Sequence, residues 1–385
     1  MTTLPAGFMA HVANIGIKDD TPDFVVIATE RPVSAAGVFT RSRFAGPSVT
    51  ISREHLASGT AQAMVVVSKN ANVANGPIGE QDARALVTAV AGRLGCDVDD
   101  VLLASTGVIG RRYPMDRVRA GVAAMPVPFD SVSADAAATG IMTTDTVPKI
   151  ATAAVGASGA TVVGIAKGVG MIEPDMATMI AVVLTDAAIE PAELDATFRD
   201  VVDRTFNCVS IDTDTSTSDT AVVLASGAAG TVDPREFEAA LTEVCLDLTK
   251  QIARDGEGAE TLIEVSISGA RDRDQARRVA KSIVNSPLVK TAVHGADPNW
   301  GRVAMAIGKA GDDTDIVQEA VTIRFGDTEV YPHQVDDAGL AALSAYMSGD
   351  TVLIAADLGI ADGSATVWGC DLTDGYVRIN ADYTT

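Results

Sequence analysis

Short apolar runs alternate with amphipathic stretches along the whole chain. Phe24–Ala28, Met64–Val67 and Val101–Ala104 are β-branched or apolar throughout and are flanked by polar or turn-forming residues. Strands buried on both faces have this pattern. Glu80–Leu94 reads as a helix, and Pro114-Met115-Asp116 opens another, with proline near a first turn that needs no N–H there. Met179–Leu184 repeats the buried-strand pattern, and Pro191–Phe206 and Pro234–Ala253 are helices with acidic fronts. Ala276, Val279, Ala280 and Ile283 fall at the i, i+3, i+4, i+7 spacing of one apolar helix face. Strands return at Leu262–Val265, Val321–Phe325, Val352–Ala355 and Val377–Ile379. Ala151–Ala160, rich in Ala, Gly and Ser, is the softest segment, and Gly311–Asp315 reads as an exposed acidic loop. Neither is long enough for an interdomain linker, and no internal repeat or heptad array occurs. The pattern predicts a mixed α/β architecture. It does not predict the order of the strands.

Composition narrows the function classes. The chain has 385 residues, 47% of them apolar, which excludes wholesale disorder and leaves ample material for a core. Fifty-one acidic against 29 basic side chains give a formal charge of −22, which argues against a general binder of nucleic acid or anionic membrane. One basic pocket for a small anion is still allowed. Cys96, Cys208, Cys245 and Cys370 lack the spacing of a zinc or redox motif and are expected to be reduced and mostly buried. The amino terminus lacks a basic segment followed by an apolar one, and no apolar run approaches the ~20 residues of a membrane helix. The expectation is a cytoplasmic protein whose partner is a metabolite or another protein.

Familiar catalytic motifs are missing. His11, His55, His294 and His333 form no HExxH arrangement, and no GxSxG elbow occurs. His294, beside Gly295, reads as a structural hydrogen-bonder. Gly164-Ile165-Ala166-Lys167-Gly168 lacks Walker spacing, and Gly168-Val169-Gly170 is a fragment of a dinucleotide fingerprint. Ser210–Thr220 carries Asp212, Asp214 and Asp219 among hydroxyls, without the glycine and glutamate of a calcium loop. Its side chains are suited to capping helices, pairing across a strand or facing a site; no metal is expected.

The informative stretch is Gly164–Leu184. A glycine-rich bend carrying Lys167 leads through Glu173-Pro174-Asp175 to Ala177-Thr178, and then to an apolar strand. A threonine hydroxyl is a weak nucleophile without a base. Making threonine the first residue of a chain supplies one, its own amine. Inside a longer precursor this requires cleavage just before it: Thr178 attacks the Ala177 carbonyl, the acyl bond moves from nitrogen to oxygen, and hydrolysis frees the amine. A threonine that merely starts a core strand is the ordinary alternative.

The same stretch resembles the self-cleavage segment of the ornithine acetyltransferase (glutamate N-acetyltransferase) family. Other family-like runs span most of the chain: Ala36–Arg41, Ser105–Gly110, Ile141–Asp145, Asp255–Gly258, Ser286–Ala292 and Asp297–Arg302. The resemblance implies a layered α/β sandwich, similar in layering to N-terminal-nucleophile hydrolases but differently connected. It implies cleavage between Ala177 and Thr178 into an α chain of residues 1–177 and a β chain of residues 178–385, which fold together in an α2β2 assembly. Thr178 then takes acetyl from N-acetylornithine, releases ornithine, and passes the acetyl group to glutamate in a ping-pong cycle that needs no cofactor.

Site roles follow from the same resemblance. Thr106 and Gly107 match the oxyanion-hole pair, aimed by the strand Val101–Ala104. Lys167 matches a lysine near substrate and nucleophile, suited to hold a carboxylate or to favour an unprotonated Thr178 amine. Glu257 matches the position that pairs with a substrate ammonium, and Asn380 and Thr385 match binding positions near the carboxyl end. One threonine of Thr143-Thr144 contacts substrate. Two competing activities share this machinery: hydrolysis, as in N-terminal-nucleophile amidohydrolases and aminopeptidases, and a bifunctional use of acetyl-CoA. Lys69 departs from the family, standing where a glycine is usual. With Arg43–Pro47 and Cys370–Thr373, it is similar to paralogues of clavulanic-acid gene clusters.

Overall fold

The apolar stretch that begins at Phe24 runs on to Phe39 and forms the longest strand of the computed structural model, which describes residues 1–129, 132–173 and 179–382. The residues divide into two units: Met1–Gly168, Ile172–Asn207 and Thr215–Leu248 in the first; Val169–Met171, Cys208–Asp214 and Thr249 onward in the second.

The first unit holds strands β1 (Met9–Ala13), β2 (Phe24–Phe39), β3 (Thr60–Val67), β4 (Val101–Ser105), β5 (Lys149–Ala154), β6 (Thr161–Lys167), β7 (Ile180–Ala188) and β8 (Thr220–Thr231). Its helices are α1 (Pro47–His55), α2 (Gly76–Leu94), α3 (Met115–Ala124), α4 (Ala134–Gly140), α5 (Pro191–Arg204) and α6 (Pro234–Arg254), the last crossing into the second unit at its end. The open sheet runs β4-β3-β2-β8-β7-β6-β5, with β1 paired to β2. The pairs β3–β4 and β7–β8 are parallel; the others are antiparallel.

Alternation sends successive side chains to opposite faces, and both faces are buried. Val25, Ile27, Met64, Val66 and Leu102 pack with Ala134 and Ala137 of α4. Phe24, Val26, Val65, Val67 and Leu103 pack with Leu86, Val87 and Val90 of α2. The second unit has its own open sheet, β11 (Thr328–Tyr331), β10 (Thr322–Phe325), β12 (Thr351–Asp357), β9 (Leu262–Ala270) and β13 (Gly363–Cys370) in that order. Its helices are α7 (Arg273–Val284), α8 (Pro287–His294), α9 (Trp300–Gly308), α10 (Asp337–Met347) and α11 (Asp374–Asp382). The layered α/β expectation holds.

Three local expectations change. Val377–Ile379 lies inside α11, not in a strand. Three alternating residues cannot distinguish the two, and here Asp374 pairs with Arg378 one turn on while Val377 is 62% exposed. Gly164 and Lys167 are strand residues of β6, and the bend begins only at Gly168, φ +153°. A Cβ on Gly164 would lie 2.7 Å from both Val244 and Leu248, so this glycine lets a helix approach the sheet. Ala151–Ala160 is mostly the end of β5 and its turn toward β6. Among the described residues no helix is long and apolar enough to cross a membrane. The four cysteines are free thiols; Cys208, Cys245 and Cys370 are buried and Cys96 is partly so.

Candidate functional site

Strand β4 is fully buried, so its end is held rigidly, and Thr106 continues it by donating its N–H to the Val67 carbonyl at 3.0 Å. Gly107 follows with φ +126°, a backbone conformation reached by few residues other than glycine, which lacks a Cβ. A Cβ there would sit 2.2 Å from the Lys69 carbonyl carbon and 2.6 Å from the Asn70 nitrogen. The Lys69–Asn70 backbone therefore presses directly on Gly107. Lys69 itself has φ +73°, the conformation a glycine would adopt freely. Its Nζ is tied to Asp19 and to Thr21, and that hydrogen bond holds the Asp19 carboxyl well below the usual carboxylate range. Lys69 thus adopts a left-handed backbone while its cation is anchored on Asp19 and Thr21.

Lys167, buried at the end of β6, lies opposite Ile180 in the β6–β7 register. Its Nζ is 3.8 Å from Asp145 Oδ2. Asp145 gathers this corner: Oδ1 accepts Lys149 Nζ at 2.8 Å and the Gly168 N–H at 2.7 Å, and Oδ2 accepts the Thr143 N–H at 3.0 Å. Burial pushes the Asp145 carboxyl up, but the charges of Lys167 and Lys149 with these hydrogen bonds outweigh it and hold it at about 2. Thr143 is thus joined to the Lys167 cluster, whereas Thr144 is exposed. Asp145 and Lys149 were not among the expected site residues. Lys149 carried no signal at all, since an isolated lysine before an apolar strand usually reaches solvent.

Removing the Asp145 carboxylate leaves Lys149, whose side chain is fully buried, without that counter-charge. Asp145→Ala is expected to cost on the order of 3–5 kcal/mol in urea unfolding at pH 7. In the wild type, a folded value near 2 against an ordinary 3.8 means that this contribution is complete above pH 3.8 and is lost as pH falls toward 2. The amount is about 2 kcal/mol, seen as a wild-type acid destabilisation that the variant lacks. Equal pH dependence in the two proteins would refute the assignment.

Thr106 and Lys167, 61 positions apart, line one cavity of about 10 Å³ with Met179, Ile180, Ser216, Ser218 and Asp219. That is room for about one water molecule. Ala177 and Thr178 lie outside the described residues, but Met179 is the residue bonded to Thr178. Of the acidic, hydroxyl-rich stretch, Asp219 does face a site.

In the second unit Glu257 donates its N–H to the Val169 carbonyl at 2.7 Å, and a Cβ on Gly170 would meet the Glu257 carboxylate at 2.6 Å. Asn380 Nδ2 donates to Glu257 Oε2 at 2.8 Å, so these two expected residues come together. Thr385 lies outside the described residues. Asp212 accepts the Met171 N–H at 2.6 Å and the Tyr376 hydroxyl at 3.4 Å. Burial, then the Asp212 and Glu257 charges, push the Tyr376 phenol up to about 12. This corner is electronegative and suited to a cation. His294 Nδ1 sits 3.1 Å from Asp371 Oδ2, the structural hydrogen bond expected of it. Glu260 joins that group, but Asp371 Oδ1 already accepts the Glu260 and Thr261 amides.

A family model described as the ArgJ family matches residues 9–385. Glutamate N-acetyltransferase Oat2 of Streptomyces clavuligerus is 59% identical over 387 aligned positions, covering 99% of this chain and 98% of that protein. Arginine biosynthesis bifunctional protein ArgJ 2 of Nostoc sp. is 55% identical, covering 100% and 99%. Among solved structures, an arginine biosynthesis bifunctional protein argJ chain from Bacillus halodurans is 44% identical with a TM-score of 0.50. It matches 52% of this chain and 98% of its own length.

Proposed function

This chain belongs to the ArgJ family and is an acyltransferase, and we propose that it moves acetyl from N-acetylornithine to glutamate through an acetyl-threonine at Thr178. The observation that carries the reading is the shared cavity of Thr106, Lys167 and Met179, which brings the Thr106 motif and Lys167, 61 positions apart in the chain, to the residue next to the nucleophile. The precursor cuts itself between Ala177 and Thr178. The freed amine accepts the hydroxyl proton, and the acetyl carbonyl is attacked with its developing charge met by Thr106 and Gly107. Thr143 and Lys167 contact substrate in the first unit, with Lys167 suited to a carboxylate; Glu257 and Asn380 bind the substrate ammonium, and Thr385 completes the set.

The cut falls between β6 and β7, which are antiparallel neighbours paired over six residue pairs of one sheet. That pairing supports an α chain and a β chain that remain associated after cleavage. The Bacillus halodurans chain, matched nearly end to end by about half of this one, has the length expected of one such product.

Mass spectrometry of the purified protein is expected to find two chains, ending at Ala177 and starting at Thr178. Incubation with acetyl-labelled N-acetylornithine is expected to place the label on Thr178, and added glutamate to remove it as N-acetylglutamate. Discharge by water alone at the same rate would make the protein a hydrolase, and equal labelling from acetyl-CoA would make it bifunctional. Label on any other residue would refute the mechanism.

A further inference from the structure

The free amine explains how Thr178 is activated after cleavage, but not before. In the precursor that nitrogen is an amide and cannot accept a proton. The first attack of the hydroxyl on the Ala177 carbonyl therefore needs another base.

Asp219 is 2% exposed and stands immediately before β8, whose Thr220 N–H donates to the Met179 carbonyl at 3.0 Å. The Asp219 carbonyl accepts the Thr40 N–H at 3.1 Å, so the residue is fixed on two sides. Its carboxyl accepts the Met179 N–H. Its Oδ2 is buried without a hydrogen-bond partner among the described residues. An unpaired buried carboxylate oxygen is costly, and here it borders a cavity of one water's size shared with Thr106 and Lys167.

We propose that Asp219 is the general base of the chain-cleaving step. This rests on the self-processing reading above. The Thr178 hydroxyl proton passes to the Asp219 carboxylate as the Oγ–C bond to Ala177 forms. The C–N bond then breaks, and the same proton is delivered to the departing Thr178 nitrogen. The product is an Ala177 ester on Oγ and a free amine. Water adds to that ester, giving the Ala177 carboxyl group and returning a proton to Oγ. No outside reagent beyond water is consumed. The base form is scarce at low pH, because burial raises the Asp219 carboxyl well above its ordinary range against the pull of the Thr40 hydroxyl, the Met179 N–H and Lys167. The charged group facing it is Lys167 on β6, itself beside Asp145; the groups contributed by β4, β7 and the Ser216–Ser218 segment are uncharged.

The test uses the full chain, pulse-labelled in cell-free synthesis and shifted to buffers between pH 5 and 9, with cleavage followed on gels. The wild-type rate is expected to rise with pH and level off above the carboxyl's titration. Asp219→Asn preserves size and an acceptor for the Met179 amide. It is expected to cut at least about 100-fold more slowly, with no dependence on pH, while melting within a few degrees of wild type. A wild-type rate flat across the range would overturn the proposal even if the variant fails to fold, as would a folded Asp219→Asn chain that cuts at the wild-type rate. A wild-type chain that is never cut would instead overturn the self-processing reading itself.

Discussion

Thr178→Ala is expected to give a single uncut chain of 385 residues with transferase activity lowered about a millionfold. Two losses coincide in this variant. Without the hydroxyl there is no nucleophile for the Ala177 carbonyl, so the amine is never released. Without the hydroxyl there is also no atom to carry acetyl, so a chain cut by other means is equally inactive. Effects of groups that act as a unit do not add, so combining this change with Thr106→Val is expected to lower activity no further. Thr178→Ser keeps the hydroxyl and is expected to be cut and to retain measurable transfer. Intact-mass measurement and a labelled-acetyl assay read both outcomes. An uncut Thr178→Ala chain that turns over would remove the covalent intermediate.

Gly107→Ala is expected to be the next most damaging change, with kcat lowered at least 100- to 1,000-fold and KM changed far less. The new Cβ would stand 2.2 Å from the Lys69 carbonyl carbon and 2.5 Å from its Cα. Backbone lies there, so no rotamer relieves the overlap. The φ of +126° would strain any side chain even in open space. Either Gly107 or Lys69 must move, and with it the donor geometry at the end of β4. Oxyanion donors act where negative charge develops, so their displacement is read in kcat. The cleavage reaction passes through a similar tetrahedral centre, so the variant is also expected to be cut slowly. A Gly107→Ala enzyme with wild-type kcat and normal cleavage would separate this glycine from the chemistry. Lys69→Gly is the natural companion, because it relaxes the opposing backbone without touching the donors.

Much of this protein was determined by its sequence alone. Apolar alternation fixed most strands and helices, because periodicity reports how each residue sits on its own element. The motif order was enough to indicate the family and to single out Thr178, Thr106, Gly107, Lys167, Glu257 and Asn380. Where a pattern was too short the inference failed, as at Val377–Ile379, which lies in a helix whose exposed face carries the Asp374–Arg378 pair one turn apart. Gly164 misled for a related reason: the need for glycine came from Val244 and Leu248, some 80 residues away, and not from its own turn.

Tertiary structure alone decided who faces whom. It set β8 between β2 and β7, put Thr106 and Lys167 on one small cavity, and chose Thr143 over Thr144 as the partner of Asp145. It also turned Lys149 inward and left one oxygen of Asp219 unpaired. A charged side chain is ordinarily solvated, so nothing local announces that one will be buried. Its cost is met by partners that arrive only when distant strands pair, and that pairing is a property of the assembled sheet rather than of any segment within it.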